Sequence, residues 1–190
     1  MSDDTVKEEE GEKPEAPTPP PPETRVMGLF QEVNESKAEE IIYALKLYQL
    51  ESNEDIEFYI SSPGGTASDM FAIYDFMRLV RESTDISTCG LGKVMSAAVL
   101  LMAAGTKGKR KIGKNCRIMI HSIIAGSSGA MNDLKNEMKE IQAIQELYVS
   151  CLCRETKLTK KKIKELFSQN VNIYLSAEEA VEYGIADIII

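Results

Sequence analysis

The sequence has very few imidazoles: His121 is the single histidine among 190 residues. Hydrolases that activate a hydroxyl nucleophile need a base whose pKa lies near the working pH, and imidazole is the ordinary choice. Any such chemistry here must therefore use His121. The sequence also lacks a signal-peptide pattern and any apolar run near the roughly 20 residues that cross a bilayer. We therefore predict a cytoplasmic protein with no membrane partner.

The cysteines lack the spacing of a metal site. None of the four belongs to a CxxC pair or has a histidine partner nearby, which argues against zinc. All four lie in or beside apolar segments, so we predict reduced and mostly buried thiols: Cys89, Cys116, Cys151 and Cys153. The sequence implies no metal and no organic cofactor.

Acidic charge is concentrated at the N-terminus. Residues 1–24 hold eight carboxylates against two lysines, which is −6 of the total −8, and six of the seven prolines. So few apolar residues cannot offset the entropy of ordering. We predict a disordered acidic, Pro-rich tail over 1–24 and one folded domain over 25–190. The tail is most simply solubilising, with a gate or docking strand as the alternative, and so acidic a chain is not expected to bind nucleic acid.

The rest of the sequence alternates between strand and helix patterns. Two units each predict a strand, a Gly-rich turn and a helix, over 55–60, 61–65 and 67–80, then over 86–91, 92–96 and 97–104. A third strand over 117–120 leads directly to His121. Alternating strands and helices indicate an α/β domain with functional groups at the strand ends.

The Gly-rich turns suggest a site for an oxyanion. Glycine allows main-chain amides to point at a ligand, and a helix N-terminus adds partial positive charge. Taken alone, Gly64-Gly65 also fits a turn without chemistry, and Ser96 also fits a helix cap. The segment 92–96 is neither the G-x-S-x-G elbow nor a P-loop.

In combination, these segments resemble the ClpP family, the proteolytic subunits of Clp proteases, which are self-compartmentalising serine peptidases. The resemblance covers about residues 25–190. It is carried by segments 61–65, 74–75, 92–96, 103–110, 117–121 and 175–187, which read SSPGG, YD, GKVMS, AAGTKGKR, RIMIH and LSAEEAVEYGIAD. The resemblance implies a ClpP/crotonase-like spiral of ββα units with a protruding handle helix.

The same resemblance assigns roles to residues. It implies that Ser96 is the nucleophile and His121 the general base, and that the backbone amides of Gly65 and Ala97 form the oxyanion hole. The family's third catalytic position, normally aspartate, falls on Asn172. An asparagine oxygen can accept a hydrogen bond from imidazole but supplies no charge to stabilise an imidazolium.

Assembly and partners are also implied by the resemblance. The family forms heptameric rings, also stacked as tetradecamers, and the helix predicted over 131–155 matches the handle that joins two rings. The same periodicity fits a core-facing helix in a monomer. Val171 replaces the arginine of the inter-ring contact, which leaves homomeric and mixed rings with a ClpP paralogue both open. The acidic tail replaces the family's apolar axial loop, so docking of an AAA+ Clp unfoldase is left open.

Three functions are compatible with these observations. The favoured one is a serine endopeptidase, the proteolytic subunit of a Clp-type ring that cleaves peptides and unfolded proteins through an acyl-enzyme. The first alternative is a weakly active or non-catalytic regulatory subunit of a mixed ring, which Asn172 and Val171 favour. The second is a crotonase-type acyl-CoA enzyme, against which the presence of both Ser96 and His121 argues.

Overall fold

The computed structural model describes residues 25–168 and 171–190, so the predicted tail over 1–24 lies outside the described residues. Strands and helices alternate along most of the chain. The strands are β1 Val26–Leu29, β2 Ile56–Ser62, β3 Ile86–Met95, β4 Lys111–Ile112, β5 Arg117–Ile120, β6 Ile173–Leu175 and β7 Ile188–Ile189. The helices are α1 Glu35–Glu51, α2 Ala67–Val80, α3 Ala97–Ala103, α4 Met131–Glu155, α5 Lys160–Ser168 and α6 Ala177–Glu182.

The described strands form one mostly parallel sheet in the order β1-β2-β3-β4-β7. The strand β5 pairs with the second half of β3 in parallel, and β6 pairs with β5 in antiparallel orientation. Parallel strands need helical crossovers between them, which α1, α2 and α3 provide. The predicted α/β fold class is confirmed.

Helix α3 is the centre of the core. All seven of its side chains are buried, as expected for a helix that is apolar on every face. The helix begins directly after Ser96, so the candidate nucleophile is attached to one of the most constrained segments of the protein. Its length also agrees closely with the helix predicted over 97–104.

Two predicted features differ from the structure. The turn predicted over 92–96 is wrong for residues 92–95, because β3 continues to Met95. Gly92 has a φ of 63° and lies where the β2–β3 register shifts between Ile60 and Ser62, as in a β-bulge. The sequence also predicts an apolar face on α1 formed by Ile41, Ile42, Leu45, Leu47 and Tyr48, but Leu47 is exposed whereas Ile41 and Leu45 are buried.

Helix α4 has the predicted bounds but two unlike halves. No side chain between 131 and 147 is buried, and Met131, Met138 and Leu147 are largely exposed. Burial begins at Tyr148 and continues over the last two turns. The N-terminal half therefore projects from the core of this chain, which a core-facing helix would not do.

The cysteine prediction is confirmed for the thiols. All four are free, with Cys89, Cys116 and Cys151 buried and Cys153 partly buried. Burial raises the pKa of Cys116 to about 11, which makes it an unreactive thiol. No helix within residues 25–168 and 171–190 has the length and apolar character needed to span a bilayer.

Candidate active site

Ser96 lies at the junction between β3 and α3 in an unusual backbone conformation. Its φ of 54° and ψ of −123° make it the one positive-φ residue other than glycine in the described chain. Such conformations cost about 1–3 kcal/mol and persist only where the surroundings impose them. Strain of this kind is concentrated at functional sites, so the backbone independently singles out the predicted nucleophile.

Three hydrogen bonds hold Ser96 in this conformation. Its amide donates to the Met119 carbonyl at 2.7 Å, and its carbonyl accepts from the Val99 amide at 3.0 Å. The Tyr148 hydroxyl donates to the same carbonyl at 3.2 Å. Burial raises the pKa of Tyr148, which keeps the phenol protonated as a donor. Tyr148 falls within the helix predicted over 131–155, and nothing in the sequence indicates this contact.

Tyr148 is itself fixed by a second aromatic ring. It stacks on Phe167 of α5 with the ring planes 4° apart and the centroids separated by 6.2 Å. Both residues are buried. The stack links α5 to the carbonyl of Ser96 through one rigid side chain.

Gly64 permits the turn after β2 to approach Ser96. A Cβ at Gly64 would lie 2.5 Å from the Cβ of Ser96 and 2.7 Å from the Met95 carbonyl oxygen, and its φ is +98°. Both the space and the conformation therefore require glycine. The neighbouring Gly65 is as constrained, since its Cβ would lie 2.0 Å from the carbonyl oxygen of Val33.

His121 follows β5 and reaches Ser96 directly. Its Nε2 lies 2.8 Å from the Ser96 Oγ, and its Nδ1 lies 2.5 Å from the Ser122 carbonyl oxygen. A carbonyl can only accept, so Nδ1 carries the proton and Nε2 of the neutral ring accepts from the serine hydroxyl. This is the tautomer that a general base toward Ser96 requires. Sequence reasoning did not identify the Ser122 carbonyl.

Asn172 lies beside His121 at the end of the β5–β6 pairing, because Ile120 pairs with Ile173 in antiparallel register. It is exposed, it precedes β6, and within the described residues it makes no side-chain hydrogen bond to His121. The position at Nδ1 that the prediction gave to the asparagine oxygen is occupied by the Ser122 carbonyl. The role predicted for Asn172 remains a prediction.

The other four predicted residues meet in one cavity of about 450 Å³. Ser96, His121, Gly65 and Ala97 all line it, within the size range of ligand sites. In the part of the chain that is described, the amides of Gly65 and Ala97 donate to no backbone carbonyl. Two free amides beside a hydroxyl nucleophile are the donors that an oxyanion needs. Much of the remaining wall is apolar, from Ala67, Met70, Ile123, Ile124 and Tyr148.

A serine hydroxyl bonded to the correct imidazole tautomer, beside free amides on an α/β fold, defines a serine hydrolase. A model of the Clp protease family matches residues 22–190. A Corynebacterium jeikeium protein named ATP-dependent Clp protease proteolytic subunit 2 is 38% identical over 167 residues, which are 87% of this chain and 78% of the relative. Subunit 1 of Corynebacterium diphtheriae has the same identity and coverage. Subunit 3 of Nocardia farcinica is 38% identical over 87% of this chain and 74% of its own length.

The chain therefore belongs to the Clp protease family. The family resemblance predicted from the sequence is confirmed, and with it the prediction of a Clp-type peptidase.

Proposed function

We propose that this chain is a serine endopeptidase subunit of a Clp-type ring in which Ser96 is the nucleophile and His121 the general base. The observation that carries the proposal is the 2.8 Å contact between the Ser96 Oγ and the Nε2 of His121, the ring nitrogen that accepts when Nδ1–H donates to the Ser122 carbonyl. A serine hydroxyl is a poor nucleophile until an adjacent base accepts its proton.

The mechanism follows from this arrangement. As Ser96 Oγ attacks a peptide carbonyl, its proton passes to Nε2, and the amides of Gly65 and Ala97 stabilise the negative charge on the carbonyl oxygen. The imidazolium then returns the proton to the leaving amine, which gives an acyl-enzyme. A water molecule activated by His121 hydrolyses the ester by the same steps in reverse. Losing one oxyanion donor in such a site lowers kcat by about 10²–10³.

The orientation of His121 is the unusual part of the proposed site. In this chain a backbone carbonyl, that of Ser122, accepts from Nδ1–H at 2.5 Å. It fixes the tautomer, as a carboxylate would, but it supplies a dipole in place of a full negative charge. An imidazolium is therefore stabilised less, and we propose a peptidase slower than one with a complete Ser-His-Asp set.

The substrates we propose are peptides and unfolded polypeptides. An open cavity with an apolar wall beside Ser96 accommodates an extended chain with an apolar side chain next to the scissile bond. Glu32 and Asn34 add polar groups to the lining of the cavity.

We also propose a homomeric heptameric ring, stacked or single, in the cytoplasm, with a mixed ring containing a paralogue as the alternative. Proteins of this family form oligomeric rings that work with Clp ATPases. The exposed apolar side chains on the N-terminal half of α4 support a ring contact, because an isolated subunit leaves them in water. We propose that an AAA+ Clp unfoldase supplies unfolded substrates.

The test is covalent labelling of the purified protein with a fluorophosphonate, followed by intact mass. We expect one adduct per chain in the wild type and none in Ser96→Ala, with light scattering on the same sample to define the assembly. His121→Gln should slow labelling by several orders of magnitude, since triad members act as a unit. Absence of labelling in an assembled wild-type ring would contradict the proposal.

The second candidate function is a regulatory subunit that depends on an active paralogue. It is favoured by the exposed position of Asn172 and by the absence of any carboxylate bonded to His121 within the described residues. Under this alternative, the assembled homomer would not react with the fluorophosphonate, and labelling of Ser96 would need a second ClpP chain.

A further inference from the structure

A second cavity, of about 390 Å³, lies far from Ser96 and has an excess of positive charge. Two carboxylates line it, Asp85 and Glu155. Four cations line it as well: Arg78, Arg81, Lys107 and Arg154. These residues define the basic cavity. Its lining has a formal charge of +2, from four cations minus two carboxylates, although the folded domain as a whole is slightly acidic.

Both carboxylates of the basic cavity already have partners. Glu155 accepts from Arg81 at 3.0 Å and from the Tyr74 hydroxyl at 2.9 Å. Asp85 lies 2.8 Å from the Nζ of Lys109, outside the cavity. The acids therefore do not neutralise Arg78, Lys107 or Arg154.

Those three cations have donors left over. Arg78 lies over the ring of Tyr74 at 5.8 Å, and among residues 25–168 and 171–190 Arg154 donates once, to the Tyr74 hydroxyl at 3.3 Å. Lys107 donates one bond within the described part of the chain, to the Arg154 carbonyl at 3.2 Å. A guanidinium has five N–H donors and an ammonium three, so most of this capacity faces solvent. Paired guanidinium and ammonium groups of this kind are suited to carboxylates.

The basic cavity and the N-terminal tail lie at the same edge of the sheet. Asp85 comes just before β3, and Arg25 comes just before β1. The Glu57 amide of β2 donates to the Arg25 carbonyl, and Ile56 of β2 pairs with Ile86 of β3. Adjacent strands are about 4.8 Å apart, so the start of the domain is roughly 10 Å from the start of β3. Residues 1–24 are joined to the domain there, and three or four of them span that distance at about 3.3 Å each.

We propose that the acidic segment over residues 1–24 docks in cis on the basic cavity through its glutamate and aspartate carboxylates. The segment carries −6 and the cavity +2, so the charges are complementary. The cavity is at the opposite edge of the sheet from Ser96 and His121, so the docked segment leaves the catalytic cavity open.

Covalent attachment makes a weak site sufficient. An exposed ion pair contributes about 0.2–1 kcal/mol, and a few pairs alone would give only millimolar binding between separate molecules. A short linker gives an effective concentration of about the same magnitude, which occupies such a site substantially. Because the contact is electrostatic and exposed, salt should release it.

The test uses the full-length protein and an endoprotease that cleaves after glutamate. The rate of cleavage within residues 8–15 is followed by intact mass at low and at about 0.5 M salt, where the Debye length is under about 10 Å. Arg78→Glu/Arg154→Glu should speed cleavage about twofold or more at low salt, and salt should remove the difference. The matched control is Lys114→Glu/Lys161→Glu, which reverses two exposed cations elsewhere and should behave as the wild type.

Carbodiimide coupling gives a second readout that does not depend on the double variant. It should join Lys107 to a tail glutamate within one chain, at a yield independent of protein concentration. Equal cleavage rates in the wild type and the cavity variant, together with no Lys107 crosslink, would overturn the proposal. Crosslinks that join two chains, seen as a doubled mass after denaturation, would also overturn it, because the tail would then bind a second copy. Neither measurement requires peptidase activity.

Discussion

The two edges of the parallel sheet carry different chemistry. At the amino edge, a charged residue stands immediately before each strand of the main path: Arg25, Asp55, Asp85, Arg110 and Asp187. At the carboxyl edge, three strands lead into the candidate active site: the Gly64-Gly65 turn follows β2, Ser96 follows β3 and His121 follows β5. The amino edge is held together by ion pairs, whereas the carboxyl edge is held by backbone hydrogen bonds and close packing.

Because of this difference, we expect the amino edge to determine the stability of the fold and the carboxyl edge to determine its reactivity. Lys109 joins Asp55 to Asp85 across β2 and β3, and Arg110 joins Asp187 between β4 and β7. The Ser96–His121 pair has no ion pair within the described residues and depends on a strained backbone. Substitutions at the amino edge should therefore change unfolding, and those at the carboxyl edge should change reactivity toward a fluorophosphonate.

The largest effect is expected at Glu155. Its carboxylate is 3% exposed and joins Arg81 of the α2 end to Tyr74. Removing one partner of such a buried pair leaves an uncompensated charge, so Glu155→Gln should lower the free energy of unfolding by about 3 kcal/mol. Urea denaturation measures this directly.

Glu146→Gln is the control for that prediction. Glu146 also pairs with two cations, Lys160 and Lys164, but the pair is exposed. Exposed pairs contribute little, so its unfolding midpoint should stay near that of the wild type. Equal losses in the two variants would show that the buried network does not dominate.

The next largest effect is a pH dependence at Asp187. Burial raises the pKa of Asp187, whereas its hydrogen bonds and its ion pair with Arg110 lower it. The lowering effects together are larger than the effect of burial, so the pKa of Asp187 lies below its ordinary value. The carboxylate therefore stabilises the fold above the unfolded pKa of about 3.9, and this stabilisation is lost as the pH falls through the folded pKa.

Asp187→Asn isolates this contribution. We expect a loss of about 2 kcal/mol at pH 7, typical of charged hydrogen bonds, and a smaller difference from the wild type as the pH falls toward 3. Denaturation curves from pH 7 to pH 3 measure it. A difference that stays constant with pH would assign the effect to packing and not to ionisation.

The sequence was most informative where the spacing of apolar residues and the residues that flank an element indicate the same bounds. Helices α2 and α4 were predicted with their observed bounds, because apolar spacing and the flanking residues define them. The turn predicted over 92–96 was wrong for residues 92–95 because a glycine marks both turns and β-bulges. Contacts made by backbone groups, such as the Ser122 carbonyl on His121, leave no signature in residue type. Tyr148 was equally hidden, since its ring satisfies the apolar pattern while its hydroxyl contacts Ser96.

A smaller effect is expected at the carboxyl edge from Tyr148→Phe. The variant keeps the stack on Phe167 and removes only the hydroxyl that donates to the Ser96 carbonyl. A hydrogen bond of this kind contributes about 1 kcal/mol, so the fluorophosphonate labelling rate should fall about fivefold. The exposed Tyr174→Phe is the matched control. A fall in unfolding free energy without a slower labelling rate would make Tyr148 purely structural.

The smallest effect is expected from Asn172→Ala. Because Nδ1 of His121 already donates to the Ser122 carbonyl and Asn172 is exposed, labelling should change by less than about twofold, within the range of surface substitutions. Asn172→Asp should raise the labelling rate, because a nearby negative charge favours the imidazolium, but screening by water limits the gain to under about tenfold.

These two variants decide which group orients His121. A large fall in Asn172→Ala would mean that the asparagine replaces the Ser122 carbonyl at Nδ1 in the assembled protein, so that assembly remodels the carboxyl edge. If Asn172→Asp labels no faster than the wild type, a negative charge at this position does not determine the reactivity of Ser96. If both behave as expected, His121 is oriented by backbone alone, and the carboxyl edge performs its chemistry without the ion pairs that hold the amino edge.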